Sequence, residues 1–146
     1  MKIPKLKNKA FQIDLGIYPF AVFVCFGDVE KLRPVLQAYK YTIDAEAIDN
    51  LIKHIGKKSE NCAGNAFQLE NGNVVIWIKQ MVYSEDPCYI VNTISHEALH
   101  ATREIMESIQ VELNDETEEV YAYMIGYIVN NIIGDIDGDG IITVGD

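Results

Sequence analysis

The order of the predicted elements indicates an α+β fold, in which strands are grouped apart from the long helices. Apolar, aromatic and β-branched residues run together over 11–26 and again over 66–78, as they do in strands. Helical spacing of apolar residues dominates the second half of the chain. Because strands and helices do not alternate one by one, we expect a small antiparallel or mixed sheet rather than repeated βαβ units.

The N-terminal part contains one predicted strand and two predicted helices. The strand covers 11–26, and a helix follows over 28–40, where Asp28 is suited to cap the first turn. A second helix is expected over 44–57, because isoleucine and leucine recur there every three or four residues. Residues 58–65 are polar and are predicted to form a loop.

A β-hairpin is predicted next, since two apolar runs, 66–69 and 74–78, flank the sequence Glu-Asn-Gly-Asn at 70–73. Glycine and asparagine accept the positive φ angles that tight hairpin turns require. The hairpin would place two strands immediately before the long helices.

Two long helices complete the predicted order. Asp86 and Pro87 are typical of a helix start, and this helix is expected to reach about residue 109. The last helix is predicted to begin at Asn114 or Asp115 and to end near residue 133, because Gly134 is a common helix stop.

Composition and charge exclude several classes of protein. The chain has 146 residues, of which 49% are hydrophobic and 23% charged, so disorder and fibrous folds are excluded. Its net charge is −10, and residues 97–146 contain 12 acidic residues and a single base, Arg103. Such a surface repels phosphate backbones, which argues against nucleic-acid binding.

No stretch reaches the roughly 18–20 apolar residues that a membrane span needs, so no membrane partner is predicted. The three cysteines are Cys25, Cys62 and Cys88, an odd number without close spacing. They predict buried free thiols in a reducing compartment rather than a disulfide framework.

Residues 96–100 read His-Glu-Ala-Leu-His, an HExxH motif within the first of the two long predicted helices. His96 and His100 lie one turn apart on the same face, so both rings can bind one zinc ion. Glu97 can then act as a general base on a water whose pKa the zinc lowers to about 7. The alternative is a pair of surface histidines that happen to fall four residues apart.

The sequence resembles small gluzincin-type zincins, in particular zinc metallopeptidases of bacteriophages and bacteria. The resemblance covers about residues 66–133, with HEALH at 96–100 and EEVYAYMIGYIV at 118–129. It implies a minimal zincin-like domain over 1–133 and a cytoplasmic location in a bacterial or phage-infected cell. Its partner would be a peptide or protein substrate, and the oligomeric state stays open.

The resemblance also implies that a glutamate of an E-x-x-A pattern supplies the third zinc ligand, which Glu119 and Ala122 match. Glu118 is the alternative. Asp115-x-x-Glu118 resembles a capping box that would occupy Glu118, whereas helical packing places Glu118 over the apolar face. Thermolysin-like enzymes have an aspartate four residues after this ligand, but here position 123 is tyrosine.

Zincins bind an extended substrate along the edge strand that precedes the active-site helix. The resemblance assigns that edge to Val74–Ile78, or to residues 79–83 beyond it. An interior position for this strand is the alternative.

The acidic C-terminal segment, 134–146, resembles half of an EF-hand or dockerin calcium loop. The candidate calcium ligands at loop positions 1, 3, 5, 7 and 12 are Asp135, Asp137, Asp139, Ile141 and Asp146. A flexible acidic tail is the alternative.

The sequence therefore predicts a zinc metallopeptidase in which Glu97 assists water attack on a peptide bond. The alternative is a non-catalytic metal-binding protein, or a calcium-dependent interaction protein, built on the same scaffold.

Overall fold

The computed structural model describes residues 7–16, 18–80 and 87–138, which form a mixed four-stranded sheet with helices on both faces. The strands lie in the order β1-β2-β4-β3. Their bounds are Lys9–Asp14 (β1), Ala21–Phe26 (β2), Gly64–Gln68 (β3) and Val74–Ile78 (β4). The outer pairs are antiparallel, and the central pair, β2 and β4, is parallel. The α+β class is confirmed, and the sheet is mixed.

The central strands are buried along their whole length because both of their faces are covered. Alternate side chains of β2 point to opposite sides of the sheet, as strand geometry requires. Val22, Val24 and Phe26 join one core, whereas Phe23 and Cys25 join the other. A continuous apolar run such as VVIWI in β4 is typical of a strand with two buried faces.

Two helices cover each face of the sheet. Leu32–Gln37 (α1) and Ala45–Lys58 (α2) pack on one face, and Pro87–Ser108 (α3) and Glu118–Gly138 (α4) pack on the other. Short 3-10 turns, Val29–Lys31 and Ser59–Asn61, precede α1 and follow α2. The helix predicted over 44–57 is confirmed, and so is the capping role of Asp28, whose Oδ1 accepts a 3.0 Å hydrogen bond from the Glu30 amide.

The predicted strand over 11–26 is in fact two strands, β1 and β2. The chain reverses because the Asp14 carboxylate accepts a hydrogen bond from the Gly16 amide at 2.9 Å, and Gly16 has a φ of 69°. Positive φ favours glycine and suits a turn. The predicted hairpin at 66–78 is confirmed as β3 and β4, with Gly72 at a φ of 91° in its turn.

The bounds of α4 also differ from the prediction. Gly134 does not end the helix, which continues to Gly138 because Ile132 and Ile136 are both buried in the core. Burial of Ile136 more than offsets the cost of an exposed helical glycine, about 1 kcal/mol. The start of α3 at Pro87 is confirmed, whereas Asp86, its predicted cap, lies outside the described residues.

Asn73, just before β4, accepts hydrogen bonds from two other parts of the chain. It is buried, and its Oδ1 accepts hydrogen bonds from the Ala21 amide at 2.9 Å and from the Tyr39 hydroxyl at 3.4 Å. The Asn73 side chain thereby links Ala21, the first residue of β2, to Tyr39 in the connection between α1 and α2. None of the helices in the described ranges is long and apolar enough to cross a membrane.

The three cysteines are all free but differ in exposure, so the prediction of buried thiols is right for Cys25 and wrong for Cys88. Cys62 is half-buried. Burial, followed by the negative charge of Asp28, raises the pKa of the Cys25 thiol to about 12. A thiol is nucleophilic only as the thiolate, so Cys25 is unreactive in the folded protein.

We therefore expect native protein at about pH 8 to react with a disulfide reagent first at Cys88 and more slowly at Cys62. Cys25 should react at least ~100-fold more slowly than Cys88, until denaturant exposes it. Stopped-flow thiol titration of wild type, with Cys88→Ser as the control that removes the fast phase, measures this order. Rapid modification of Cys25 in the native state would contradict the burial of β2.

Candidate functional site

The HExxH motif lies in the middle of α3, at the boundary between its buried and exposed faces. His96 and His100 lie on the exposed face, and the side chain of His96 is 64% exposed. Their rings meet edge to face, and their Nε2 atoms are 3.1 Å apart. The i, i+4 spacing thus brings two imidazole nitrogens to one point in solvent, as predicted.

The separation of these nitrogens fits a shared metal ion. Nitrogens at about 2.0–2.1 Å from one zinc ion and 3.1 Å from each other subtend about 100° at that ion, near the tetrahedral arrangement of zinc sites. The same 3.1 Å also fits a hydrogen bond from a protonated to an unprotonated ring nitrogen.

The Glu97 side chain, by contrast, lies in the space between α3 and the sheet, and it is only 5% exposed. Its Oε1 lies 3.9 Å from Nε2 of His96. Its Oε2 is buried and has no hydrogen-bond partner among the described residues. A buried carboxylate oxygen without a partner is costly, about 1–3 kcal/mol, and is a common mark of a functional group that awaits a ligand.

The β3 strand makes room for Glu97 at Gly64. A Cβ atom on Gly64 would lie 2.9 Å from Cγ2 of Thr93 and 3.1 Å from Cγ of Glu97. Distances this short would force the side chains of α3 away from the strand. Gly64 and Thr93 therefore set the position of the carboxylate. Neither residue was predicted, because 58–65 was expected to be a loop; a glycine inside a strand signals close approach by a neighbour only once β3 is known to begin at Gly64.

Burial raises the pKa of the Glu97 carboxyl, and positive charge on His96 or His100 lowers it. The carboxyl is thus easier to protonate than an exposed glutamate, as a general base that must accept a proton near neutral pH requires. Burial, and then the negative charge of Glu97, also raise the pKa of the nearby Cys62 thiol.

The structure does not bring the predicted third ligand to the histidines. No group of three histidine, cysteine or acidic side chains in the described ranges is placed to hold a metal. Glu118 and Glu119 begin α4, whose Tyr121 hydroxyl donates to the Val111 carbonyl beyond the end of α3. From His100 to the end of α3 is about 12 Å, at 1.5 Å per residue. Glu119 as a ligand therefore stays a prediction.

The predicted capping box at Asp115 and Glu118 is wrong. The Asn114 side chain instead accepts hydrogen bonds from the Glu116 and Thr117 amides, at 2.9 and 3.1 Å. With Asn114 as the cap, the reciprocal position three residues later is Thr117, whose hydroxyl accepts a 2.9 Å hydrogen bond from the Asn114 amide, and not Glu118. The argument that a cap would divert Glu118 from a metal therefore does not hold.

The remaining histidine, His54, lies on α2, on the opposite face of the sheet from α3. Its ring is exposed and packs edge to face on Phe67 at 5.6 Å between centroids. It takes no part in the HExxH site.

The assignment of the edge strand to Val74–Ile78 is wrong, because β4 lies between β2 and β3. The interior alternative is confirmed, and β3 is the edge next to α3. Its Gln68 side chain donates hydrogen bonds to the Glu104 carbonyl and the Ser108 hydroxyl, at 3.3 and 2.7 Å. Of the second candidate edge, residues 81–83 lie outside the described residues.

The candidate calcium ligands are only partly described. Asp135 and Asp137 belong to α4, and the Asp135 carboxylate pairs with Lys9. Asp139, Ile141 and Asp146 lie outside the described residues. Residues 135–138 are helical, whereas the ligands at positions 1 and 3 of an EF-hand loop lie in a turn that surrounds one calcium ion. The calcium loop stays a prediction.

Comparison of the chain with protein-family models, with curated proteins and with solved structures found no match. The functional argument therefore rests on the residues and geometry of the site itself.

Glu104 is a second carboxylate on the same side of α3, two turns after Glu97. Its Oε2 is buried without a hydrogen-bond partner among the described residues. Burial raises the pKa of the Glu104 carboxyl, and the negative charges of Glu107 and Glu97 raise it further. Because the folded state holds this proton more tightly than the unfolded state does, ionised Glu104 destabilises the fold at neutral pH.

Glu104→Gln should therefore increase the free energy of unfolding at pH 7 by about 1 kcal/mol. The gain should disappear as the pH falls through the raised pKa and below the ordinary value of 4.5, where both states are protonated. Thermal unfolding at about pH 7 and about pH 3.5 measures the difference. Glu60→Gln, which removes the same charge from an exposed site in the 3-10 turn after α2, is the control, and an equal gain at both pH values would contradict this account.

Proposed function

We propose that this protein is a zinc-dependent hydrolase of peptide bonds, with His96 and His100 as metal ligands and Glu97 as general base. The observation that carries the proposal is the meeting of two imidazole nitrogens at 3.1 Å beside a buried, unpartnered carboxylate. The HExxH motif supplies both imidazoles and the carboxylate from five consecutive residues of α3. The donor set of neutral imidazoles suits zinc rather than calcium or magnesium.

Zinc held between the two nitrogens supplies Lewis acidity, which polarises a carbonyl group and makes nearby water more acidic. Glu97 accepts the proton of the attacking water at Oε1, the oxygen that lies 3.9 Å from His96. It then returns that proton to the leaving amine. Burial raises the pKa of Glu97 and so brings its protonated and ionised forms closer in free energy at neutral pH. A carboxyl of this kind can both accept the proton of water and return it to the amine.

An extended substrate fits the proposal because β3 is an edge strand beside α3. Peptide addition to a free strand edge uses backbone hydrogen bonds and so accepts many sequences. A peptide paired with β3 near Gly64 would pass close to Glu97, whose Cγ already approaches that residue.

A second candidate is a non-catalytic metal-binding protein with the same histidine pair. It is favoured by the lack of a third metal-binding side chain near the histidines in the part of the chain that the structure describes. Two histidines alone hold zinc weakly, whereas catalytic zinc sites have three protein ligands and an open position. Metal affinity and turnover together separate the two candidates.

We expect purified protein to contain about one zinc ion per chain, and His96→Ala/His100→Ala to contain none, because the convergent nitrogens are the metal-binding groups. Elemental analysis after dialysis measures the content. His54→Ala is the control, since His54 lies on the other face of the sheet. Unchanged zinc in the double variant would refute the metal site.

The same measurement tests the third ligand. Under matched chelator challenge, Glu119→Ala should lose zinc and Glu118→Ala should retain it if the E-x-x-A resemblance identifies the ligand. Retention by both variants would place the third ligand outside the start of α4, and loss from Glu118→Ala alone would assign the ligand to Glu118.

Glu97→Gln should keep zinc and fold but lower peptide hydrolysis at least ~100-fold, because the amide accepts no proton. Cleavage of a quenched fluorescent peptide pool by zinc-loaded protein measures the rate. Glu104→Gln is the matched control, since it neutralises a neighbouring buried carboxylate. Wild-type turnover in Glu97→Gln would remove Glu97 from the mechanism, and no turnover in zinc-loaded wild type would favour the binding protein.

A further inference from the structure

A concave apolar groove lies along α4, and its lining includes neither histidine of the HExxH motif. Its volume is about 460 Å³, which lies within the range of small ligand and side-chain pockets. The residues that line it come from the N-terminal half of α4 and from the β1–β2 turn. They are Leu15, Tyr18, Val120, Tyr123, Met124 and Tyr127.

The groove has a firm floor and an exposed aromatic rim. Leu15 and Met124 are buried and continuous with the core, so the floor is held by the fold. The Tyr127 hydroxyl donates a 2.6 Å hydrogen bond to the Asp14 carbonyl, which fixes one wall. Tyr123, by contrast, is 74% exposed. Exposed tyrosines beside a preformed apolar pocket are typical of the centre of a protein interface.

The surroundings of the groove are acidic. Asp14 adjoins the lining residue Leu15, and Glu116, Glu118 and Glu119 adjoin Val120 in the sequence, whereas Lys40 is the one base that lies with Asp14 and Tyr18 in a neighbouring pocket. Residues 97–146 contain 12 acidic residues and one base, Arg103, and that base pairs with Glu107. This half of the molecule therefore presents negative charge that its own side chains do not neutralise, and it attracts a cationic partner.

The same charge disfavours other occupants. A second copy of the chain, also at −10, would be repelled, as would the surface of an anionic membrane. The chain beyond Gly138, DGIITVGD, carries two acidic residues and no base. A basic polypeptide that inserts an apolar side chain has the complementary charge and shape.

We propose that the α4 groove docks a polypeptide segment with one apolar anchor side chain flanked by lysine or arginine. The anchor occupies the pocket between Tyr18 and Tyr123, and the flanking bases face Asp14 and Glu116. Neither His96 nor His100 lines this surface, so we assign it to a protein partner and not to the hydrolysis of a peptide bond.

The probes are fluorescent 12-residue peptides with a central leucine or phenylalanine, flanked by lysines in one series and by glutamates in the other. Anisotropy at about 50 mM and about 300 mM salt should show binding of the lysine series alone, weakened by salt. Amide NMR shifts should map the contact to Tyr18, Tyr123 and Tyr127. Equal binding of the glutamate series, or shifts elsewhere, would overturn the proposal.

Tyr123→Ser should weaken lysine-peptide binding at least ~10-fold, because it removes the exposed aromatic wall. Tyr89→Ser, at a residue 46% exposed near the start of α3, is the matched control and should leave binding unchanged. Glu116→Lys should weaken binding at least ~3-fold, and Glu60→Lys on the opposite side should not.

Two further outcomes identify another occupant and would overturn the proposal. The first is a dimer in sedimentation velocity that Tyr123→Ser dissociates, which would assign the groove to a second copy. The second is a ~10-fold or larger gain in peptide affinity on truncation after Gly138, which would assign it to the C-terminal segment of the chain itself.

Discussion

The parallel pairing of β2 with β4 is the constraint on which the rest of the molecule depends. Parallel strands cannot be joined by a tight turn, so the chain must leave the sheet after β2 and return before β4. It does so through α1 and α2, which cover one face, and α3 and α4 then cover the other. Burial of both faces of the central pair therefore fixes α3 against the sheet, with β3 at its side.

The position of α3 explains how one motif serves two chemical environments. Because a helix turns by about 100° per residue, neighbouring residues can lie on different faces. His96 is directed to solvent, and Glu97 is directed to the space beside Gly64. The imidazoles thus stay accessible to an ion, whereas the carboxylate loses water and becomes easier to protonate. The boundary between core and surface passes through the motif itself.

Local signals were sufficient to predict most elements and the histidine pair, because i, i+4 spacing, caps and turn residues act within a few residues. Long-range packing decided the rest. The Asp14–Gly16 turn that divides 11–26 into two strands is a local signal, but the apolar runs on either side of it obscured it. Burial of Ile136, by contrast, is a long-range effect that overrides Gly134 as a helix stop. The edge strand was predicted wrongly from the resemblance, although the wholly apolar sequence of β4 is typical of an interior strand. The third ligand depends on how α3 and α4 align over their full lengths, which residue spacing does not specify.

The histidine pair and the Glu97 pocket also differ in when they can form as the chain folds. The two histidines are separated by four residues, so closing their contact costs little loop entropy and needs only a helical turn, which forms within about a microsecond. The Glu97 pocket needs β3, which is over thirty residues distant in sequence, to dock on α3. Contacts of that sequence separation form later. A nascent chain thus brings its two imidazole nitrogens together before it buries the Glu97 carboxylate.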